Sequence, residues 1–526
     1  VSELSPDPQT GPQSLEELYG DLLARAPENK MEPRMEPMYR AMDLLGDPQH
    51  CAPVIHLTGT NGKTSTAGMI ETMLNSYGLS TGRYTSPHLV KFTERMTLNS
   101  EPVDDETVLR VWSEILPVVR LVDQELLVED ETPLTYFEAM TVLAFAVFAD
   151  APVDVMVLEV GLGGITDATN VADAQVSVVT PISLDHTDLL GETVEEIAEE
   201  KAGIIKPDGY VVSAAQEPAA AQVLLDKARE VGASFAFENL EFGVTDRRVA
   251  VGGQQVSVQG LSGTYPELFL PLHGPHQAEN LAVAIATMEA FLGHGGHTLN
   301  QQLLQQGLLQ VTSPGRLEVL RTNPTLVIDA AHNPAGMEAT AVSVTEAFNF
   351  TKLALVVGIL EEKDARGVLT SLYDAFGDTV EHVALTASAS PRAIDPDTLV
   401  EYALDAGWDA DTLHPEPAPT DAIRWAVEAV VDEDKELHES GTANITNGTG
   451  GPGVLVTGSI TLVGQVRGLL GPGETETTDT AAAHAAAAAA VVEDHDDLAA
   501  FFATEEDDTD DDVDRGGHGQ QGDTDD

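Results

Sequence analysis

Residues 53–66 read PVIHLTGTNGKTST, an apolar run, Val54–Leu57, that breaks into a glycine-bounded loop ending in Lys63 and three hydroxyl residues. This is the pattern of a phosphate cradle. The apolar part is expected as a buried strand, Gly59 and Gly62 let the loop fold back with its backbone N–H groups turned inward, and Lys63 adds a cation. The hydroxyl of Thr64 or of Ser65 is placed for Mg²⁺, and the helix opening there turns its positive end toward the phosphates. Where the usual G-x-x-x-x-G-K-[ST] pattern carries its first glycine this chain has Leu57, so the loop is a G-T-N-G-K variant.

The rest of the chain bounds what such a cradle can serve. With 526 residues there is room for two or three domains, and 42% hydrophobic content is that of a folded rather than a disordered chain. The 87 Asp+Glu against 26 Lys+Arg give a net charge of −61, which repels nucleic acid and anionic membrane surfaces. Acidic side chains spread along the whole sequence, with few lysines, are the surface expected of a protein from a high-salt, halophilic cytoplasm. Cys51 is the sole cysteine, which excludes an intramolecular disulfide or a cysteine-rich metal site. No basic-then-apolar leader and no apolar run long enough for a bilayer is found, so a soluble cytoplasmic protein is expected.

Working outward, residues 1–14 are expected as a flexible N-terminus and helical periodicity begins near Leu15. Gly68–Tyr77 is read as the helix after the phosphate loop, and residues 82–99 as a polar loop carrying Ser86, His88, Glu94 and Arg95. Leu134–Phe148 is an apolar, helix-like run. Val153–Val160 reads as a strand buried on both faces with Glu159 near its end, followed by a second glycine-rich loop, Gly161–Asn170. A further strand, Val176–Ile182, leads to Asp185-His186, and Thr193–Ile205 is a helix opened by a Thr193/Glu196 capping box. Lys201 sits on that helix one turn after Ile197, on a largely apolar face. Glu238–Leu272 suggests an antiparallel insertion, His273–Ala290 a helix and Ser313–Arg316 a hinge. Leu326–Asp329, Leu353–Gly358, His382–Thr386 and Val454–Thr457 then alternate with helices. The expected organisation is α/β: a P-loop-containing parallel-sheet ATPase domain over 15–312, a smaller Rossmann-like α/β domain over 313–472, and an acidic, disordered tail over 473–526. Glu439–Gly453 is expected as a surface insertion.

In a parallel α/β sheet, ligands gather at the carboxyl ends of strands, so Lys63–Ser65, Glu159 and His186 are expected to converge, with carboxylate, imidazole and hydroxyl able to hold Mg²⁺ beside a nucleotide. Taken in order, GTNGKTST, TSPHL, YFEAMT, EVGLGG-x₂-DATNV, LDH, IAEEKAGIIKP, HQAEN, PGRLE and DAAHNP resemble the dihydrofolate synthase/folylpolyglutamate synthase family within the Mur ligase superfamily. The resemblance runs from about Met35 to Arg467. It implies an ATP-dependent acid–amino-acid ligase that joins L-glutamate to dihydropteroate or a folate. By similarity, Asn61, Gly62, Lys63 and Thr64 hold the ATP phosphates, while Ser65, Ser86, Glu159 and His186 coordinate Mg²⁺. Thr135, Tyr136, Phe137 and Glu138, with Thr166, Asp167 and Ala168, line the pterin site. Lys201 matches a lysine that is carbamoylated to bridge a second metal, and Asn280, Arg316, Asp329 and His332 match ATP contacts. The family pattern also admits a K⁺ ion, and a monomer with small-molecule partners alone.

The chemistry is consistent with this resemblance. A carboxylate is a poor acyl donor, so the γ-phosphoryl group first makes an acyl phosphate that the neutral amine of glutamate attacks. Two departures from the family pattern stand out: Lys63-Thr64-Ser65 where it has G-K-G-[ST], and Ile165-Thr166 where it has arginine-leucine. The competing readings are another Mur-type amide ligase or P-loop ATPase with a different acceptor, and a nucleotide-binding scaffold without catalysis. ADP release that depends on pterin acid and glutamate separates the three.

Overall fold

The computed structural model describes residues 11–27, 33–439 and 451–471. The acidic stretch over 473–526, most of the N-terminal 1–14 and the centre of the 439–453 insertion lie outside the described residues.

Among the described residues the strands form three sheets. The first has Val54–Thr58 at its middle, flanked by Val155–Glu159 and Ala174–Val179, all parallel, so that Leu57 is level with Glu159 and Thr58 with Val179. Thr81–Tyr84 continues the sheet on one side and Tyr210–Ser213 and Ser234–Phe237 on the other, again parallel. Every residue of Val54–Thr58 and of Val155–Glu159 is buried, as strands covered by helices on both faces must be. The short strands Met96–Leu98 and Glu101–Pro102 add an antiparallel edge. Residues 82–99 are thus not one loop: a strand leaves at Tyr84 and another returns at Met96, and the segment between them ends in a 3₁₀ turn, Phe92–Arg95.

The helix after the phosphate loop spans Lys63–Ser76, starting five residues earlier than its apolar content suggests. Gly62, at φ +88°, is its N-cap, and Lys63, Thr64 and Ser65 form its first turn. It is buried from Ser65 to Leu74 except at Gly68, under helices Pro275–Gly293 and Gln301–Leu308. A buried charge on it, Glu71, is fully occupied by Arg83 Nε at 2.6 Å, Thr97 Oγ1 at 2.7 Å and Ser100 N–H at 3.0 Å. The capping-box helix runs Val194–Lys201 and tightens into a 3₁₀ turn, Ala202–Ile204.

Gly243–Ala250, Gly253–Gln259 and Thr264–Leu270 form the expected antiparallel insertion as a separate sheet. The third sheet belongs to the C-terminal lobe, in the order Glu318–Thr322, Thr325–Ile328, Gly453–Thr457, Leu353–Val357, His382–Leu385, Leu413–Pro415. Its first pair is antiparallel and the rest are parallel. The carboxyl ends of the strands Thr325–Ile328 and Leu353–Val357 lead into the segments that face the phosphate loop.

Candidate active site

The phosphate loop is shaped by what it lies against. A Cβ on Gly59, at φ +140°, would collide with the Thr180 hydroxyl and carbonyl, and one on Gly62 would lie 2.6 Å from Asn280 Oδ1. Lys63 folds back over the loop and donates to the carbonyls of Gly59 at 3.0 Å and Thr60 at 3.2 Å. Thr64 Oγ1 lies 3.0 Å from both oxygens of Glu159, whereas Ser65 Oγ is 2.9 Å from Ser313 Oγ and accepts from Gln277 Nε2 at 3.3 Å. Of the two hydroxyls left open by the sequence, the geometry therefore aims Thr64 at the carboxylate. Burial raises the Glu159 pKa, against the pull of Lys63, Thr64 and Arg316.

Lys201 is buried, and its Nζ donates to Gly59 O at 3.0 Å. Burial first and the neighbouring Lys63 second bring its pKa down to about 7. The second glycine loop packs on the turn that carries it. A Cβ on Gly164 would sit 2.7 Å from Glu200 O, and Glu200 Oε1 accepts from the N–H groups of Gly164 and Ile165 at 3.3 and 3.0 Å. Asp167 braces the same loop by accepting from the N–H groups of Gly161, Leu162 and Thr169. Thr166 is half-buried and Ala168 buried alongside it.

His186 begins a short helix at φ +52°, and the C-terminal lobe reaches it directly. Lys363 Nζ is 2.8 Å from Asp185 Oδ1 and 3.0 Å from His186 Nε2. Asn333 Nδ2 donates to Asp185 Oδ2 at 3.2 Å, and His332 Nε2 lies 3.6 Å from the same oxygen. Asn61 and Asn333 exchange amide hydrogen bonds of 3.2 and 3.1 Å across the cleft. Burial alone would raise Asp185, but His332, Lys363 and His186 together hold it well below the usual carboxylate range. His186 is lowered to about 4 by burial and then by Lys363, so it is a neutral imidazole at neutral pH.

Comparison with known proteins decides the family. Residues 57–288 match the Mur ligase middle domain and residues 315–437 the Mur ligase glutamate ligase domain. The dihydrofolate synthase/folylpolyglutamate synthase of Mycobacterium tuberculosis is 42% identical over 85% of this chain and 92% of its own length. This chain belongs to the dihydrofolate synthase/folylpolyglutamate synthase family. The M. tuberculosis folylpolyglutamate synthase solved with ADP superimposes with a TM-score of 0.81 at 40% identity, covering 88% of this chain and 99% of that one. An FPGS–AMPPCP–folate complex gives 0.71 at 30% identity, covering 87% and 100%.

Among the residues that the family pattern marks for ATP, Asn280 is buried beside Gly62 and donates to Gln277 Oε1 at 3.2 Å. Asp329 is a bracket, accepting from Leu317 N–H at 2.9 Å, Ala331 N–H at 3.0 Å and Thr340 Oγ1 at 2.7 Å, which fixes the turns bearing Arg316 and His332. Arg316 is half-buried on the lobe boundary. Ser86 is half-buried at the start of the segment 86–91. That segment is pinned by Glu94, which accepts from the N–H groups of Leu89, Val90 and Lys91. Thr135 and Glu138 cap helix Tyr136–Asp150, and Glu138 is paired with Arg34 at 2.9 Å. Phe137 covers Gly161, where a Cβ would come within 2.5 Å of its ring, and the Tyr136 ring lies under Arg95.

Sequence reasoning missed Lys363, Asn333, Ser313 and Arg34 as site residues, and noted Asp185 without giving it a role. Lys363 follows the buried strand Leu353–Val357, and the strand-end rule applied to the third sheet would have found it. Within Glu361-Glu362-Lys363-Asp364 it reads instead as one charge in a solvated run.

Proposed function

We propose that the chain is an ATP-dependent ligase that joins L-glutamate to the carboxylate of dihydropteroate or of a folate through an acyl phosphate. The observation that carries this reading is the meeting of Lys63, Thr64–Glu159 and Asp185–His186 from one lobe with Arg316, His332, Asn333 and Lys363 from the other. The cations Lys63 and Arg316 stand beside the phosphate loop, where they would meet charge developing on a transferring phosphoryl group. Both walls of the cleft come from one chain, so a monomer suffices. Closure of the lobes would keep water from an acyl phosphate.

Hard oxygen donors and a neutral imidazole suit Mg²⁺, and the Lys363 ammonium on Asp185 and His186 marks a position that accepts a cation. Among the described residues no group of three or more His, Cys, Asp and Glu side chains forms a metal cage, as suits an ion held by one or two carboxylates and the substrate's own phosphates. In this reading Glu159, Thr64, Ser86 and His186 hold Mg²⁺, with Ser65 behind Thr64 on Ser313. The ion would draw charge off the phosphoryl group. Lys201 is the residue for a carbamate facing a second ion: its amine is half neutral near pH 7, and the neutral amine adds to CO₂ with loss of one proton. K⁺ is a further ionic requirement, tested by replacing it with Na⁺. The pterin would lie along Tyr136, Phe137 and the 166–168 loop, with Thr135 and Glu138 shaping its floor.

Among the described residues no helix is long and apolar enough to cross a membrane. The deciding experiment is product mass spectrometry with ATP, glutamate and either dihydropteroate or tetrahydrofolate. A glutamylated product formed in step with ADP is expected. ATP hydrolysis indifferent to both co-substrates would overturn the reading.

A further inference from the structure

Asp185 and His186 stand beyond the carboxyl end of the strand Ala174–Val179, and the C-terminal lobe engages both through one side chain. The Lys363 ammonium bridges a carboxylate oxygen at 2.8 Å and an imidazole nitrogen at 3.0 Å, and the Lys363 and Asp185 side chains are only 9% and 11% exposed. His186 can accept from that ammonium only as the neutral imidazole, with Nε2 carrying the lone pair. An oxygen and an imidazole lone pair converging on one positive centre is also how a divalent ion would be held. The contact is a lobe-to-lobe tie as well, because Lys363 lies on the loop after Leu353–Val357 while its partners lie on the large sheet. Asn333, donating to Asp185 and exchanging amide bonds with Asn61, doubles that tie.

We propose that Lys363 is a tethered cation that fills the Asp185–His186 position when metal and nucleotide are away, that a divalent ion entering there expels it, and that this exchange couples metal loading to the relation between the lobes. The proposal rests on the reading of His186 as a metal-facing residue. A monovalent and a divalent cation cannot share one imidazole lone pair, and although the His186 side chain is 35% exposed, their mutual repulsion beside the Asp185 carboxylate, 11% exposed, makes the occupancies exclusive. Linkage makes the effect reciprocal: whatever free energy the lysine contact contributes to holding the lobes together is subtracted from metal affinity, and the metal loosens the lobes by the same amount. Lys363 is in this sense a positioning residue.

The test uses Mn²⁺ as a probe, with free ion counted by electron paramagnetic resonance, both without nucleotide and with ADP. Lys363→Met keeps the length of the stem and removes the charge, and it is expected to tighten Mn²⁺ binding without nucleotide by about fivefold or more. Lys363→Arg, which keeps the charge, is expected to stay nearer the parent. A second measurement needs no change at Lys363. Spin labels on the exposed Cys51 and on Asp378→Cys report the distance between lobes, and diamagnetic Mg²⁺ added to this otherwise unaltered protein should shift that distance. Equal Mn²⁺ affinity in parent and Lys363→Met, or a distance that saturating Mg²⁺ does not move, overturns the tether and leaves the metal reading standing. Failure of both proteins to bind Mn²⁺ even with ADP overturns the metal reading and the tether with it.

Discussion

Lys63 and Lys201 donate to the same carbonyl oxygen, that of Gly59, each at 3.0 Å. Two ammonium groups on one buried acceptor are costly, and burial lowers the pKa of both, that of Lys201 to about 7. In the proposed reading Lys63 serves the phosphates and Lys201 reacts as the neutral amine. Lys63→Ala is therefore expected to lower turnover by about a hundredfold or more with the fold intact, measured on protein of unchanged circular dichroism. Lys201→Ala should lose activity severely and regain part of it in acetate or formate, whose carboxylate can occupy the vacated space. Lys201→Arg should not recover, because arginine keeps the charge and forms no carbamate. An unmodified Lys201 turned away from the ions in a nucleotide-bound crystal structure would sink the carbamate. Glu238 is pushed up to about 7, mainly by burial and partly by Glu279, against the hydrogen bond it accepts from the Ala215 N–H. Its folded pKa lies above its ordinary 4.5, so its contribution to stability is complete below about pH 4.5 and is lost as pH rises through about 7. At about 1.4 kcal/mol per unit this is worth about 3 kcal/mol at most. Glu238→Gln should raise the melting temperature at pH 8 relative to the parent and leave the two alike at pH 4.5; parallel pH curves would refute the assignment.

At the scale of elements, the segment 86–91 is held by glycine on the far side of the cleft. A Cβ on Gly464, in helix Ile460–Leu470, would land on the Leu89 carbonyl oxygen, whereas one on Gly468 would be 3.7 Å from Val90 Cγ1, an ordinary contact. Alanine favours a helix interior over glycine by about 1 kcal/mol, so a change at either site would be stabilising in an isolated helix. Overpacking against backbone outweighs that: Gly464→Ala is expected to cost about 1–3 kcal/mol, and the displaced segment, carrying Ser86, to reduce turnover about tenfold or more. Gly468→Ala is the control and should leave turnover unchanged and raise stability by up to about 1 kcal/mol. Equal behaviour of the two variants would show that the segment's seat on this helix does not matter. The same elements show what a sequence can and cannot disclose. Val54–Leu57 and Val155–Leu158 were legible because strands buried on both faces leave a near-continuous apolar run, interrupted in the first only by His56. The start of helix Lys63–Ser76 was not, since its first turn is Lys-Thr-Ser-Thr, hydrophilic because it serves the phosphates rather than the core. Nor were the strands at either end of residues 82–99, too short to show an alternation. Lys363 was hidden because it stands among Glu361, Glu362 and Asp364 like one charge of a solvated run, while its partners lie 178 and 177 residues away in the chain.

On the scale of the whole molecule, charge is sorted by position. Lys63, Lys201, Arg316 and Lys363 gather around the cleft, while exposed cations are spent on surface acids, as in Arg40 with Glu125 at 2.9 Å and Asp43 at 3.5 Å, and Arg110 with Asp150 at 2.5 Å and Glu114 at 3.1 Å. Such exposed pairs contribute little to stability, about 0–1 kcal/mol each. Even if every one of the 26 basic residues neutralised an acid, 61 of the 87 acidic residues would remain (87 − 26). Their repulsion is long-ranged in dilute buffer, where the screening length is about 30 Å at 0.01 M, and short-ranged at 1 M, where it is about 3 Å. Folding compresses these charges into a smaller volume than the unfolded chain offers, so weak screening favours unfolding. The melting temperature is therefore expected to climb from dilute buffer to molar KCl, and NaCl should act alike if screening is the cause. Removing residues 473–526, whose sequence includes EEDDTDDDVD, should lessen the salt dependence and leave activity intact, because none of the cleft residues belongs to that stretch. A melting temperature that is flat from millimolar to molar salt would mean that the acidic surface is not an adaptation to salt, and it would do so without touching the ligase assignment, which rests on the cleft and on the similarity to known relatives.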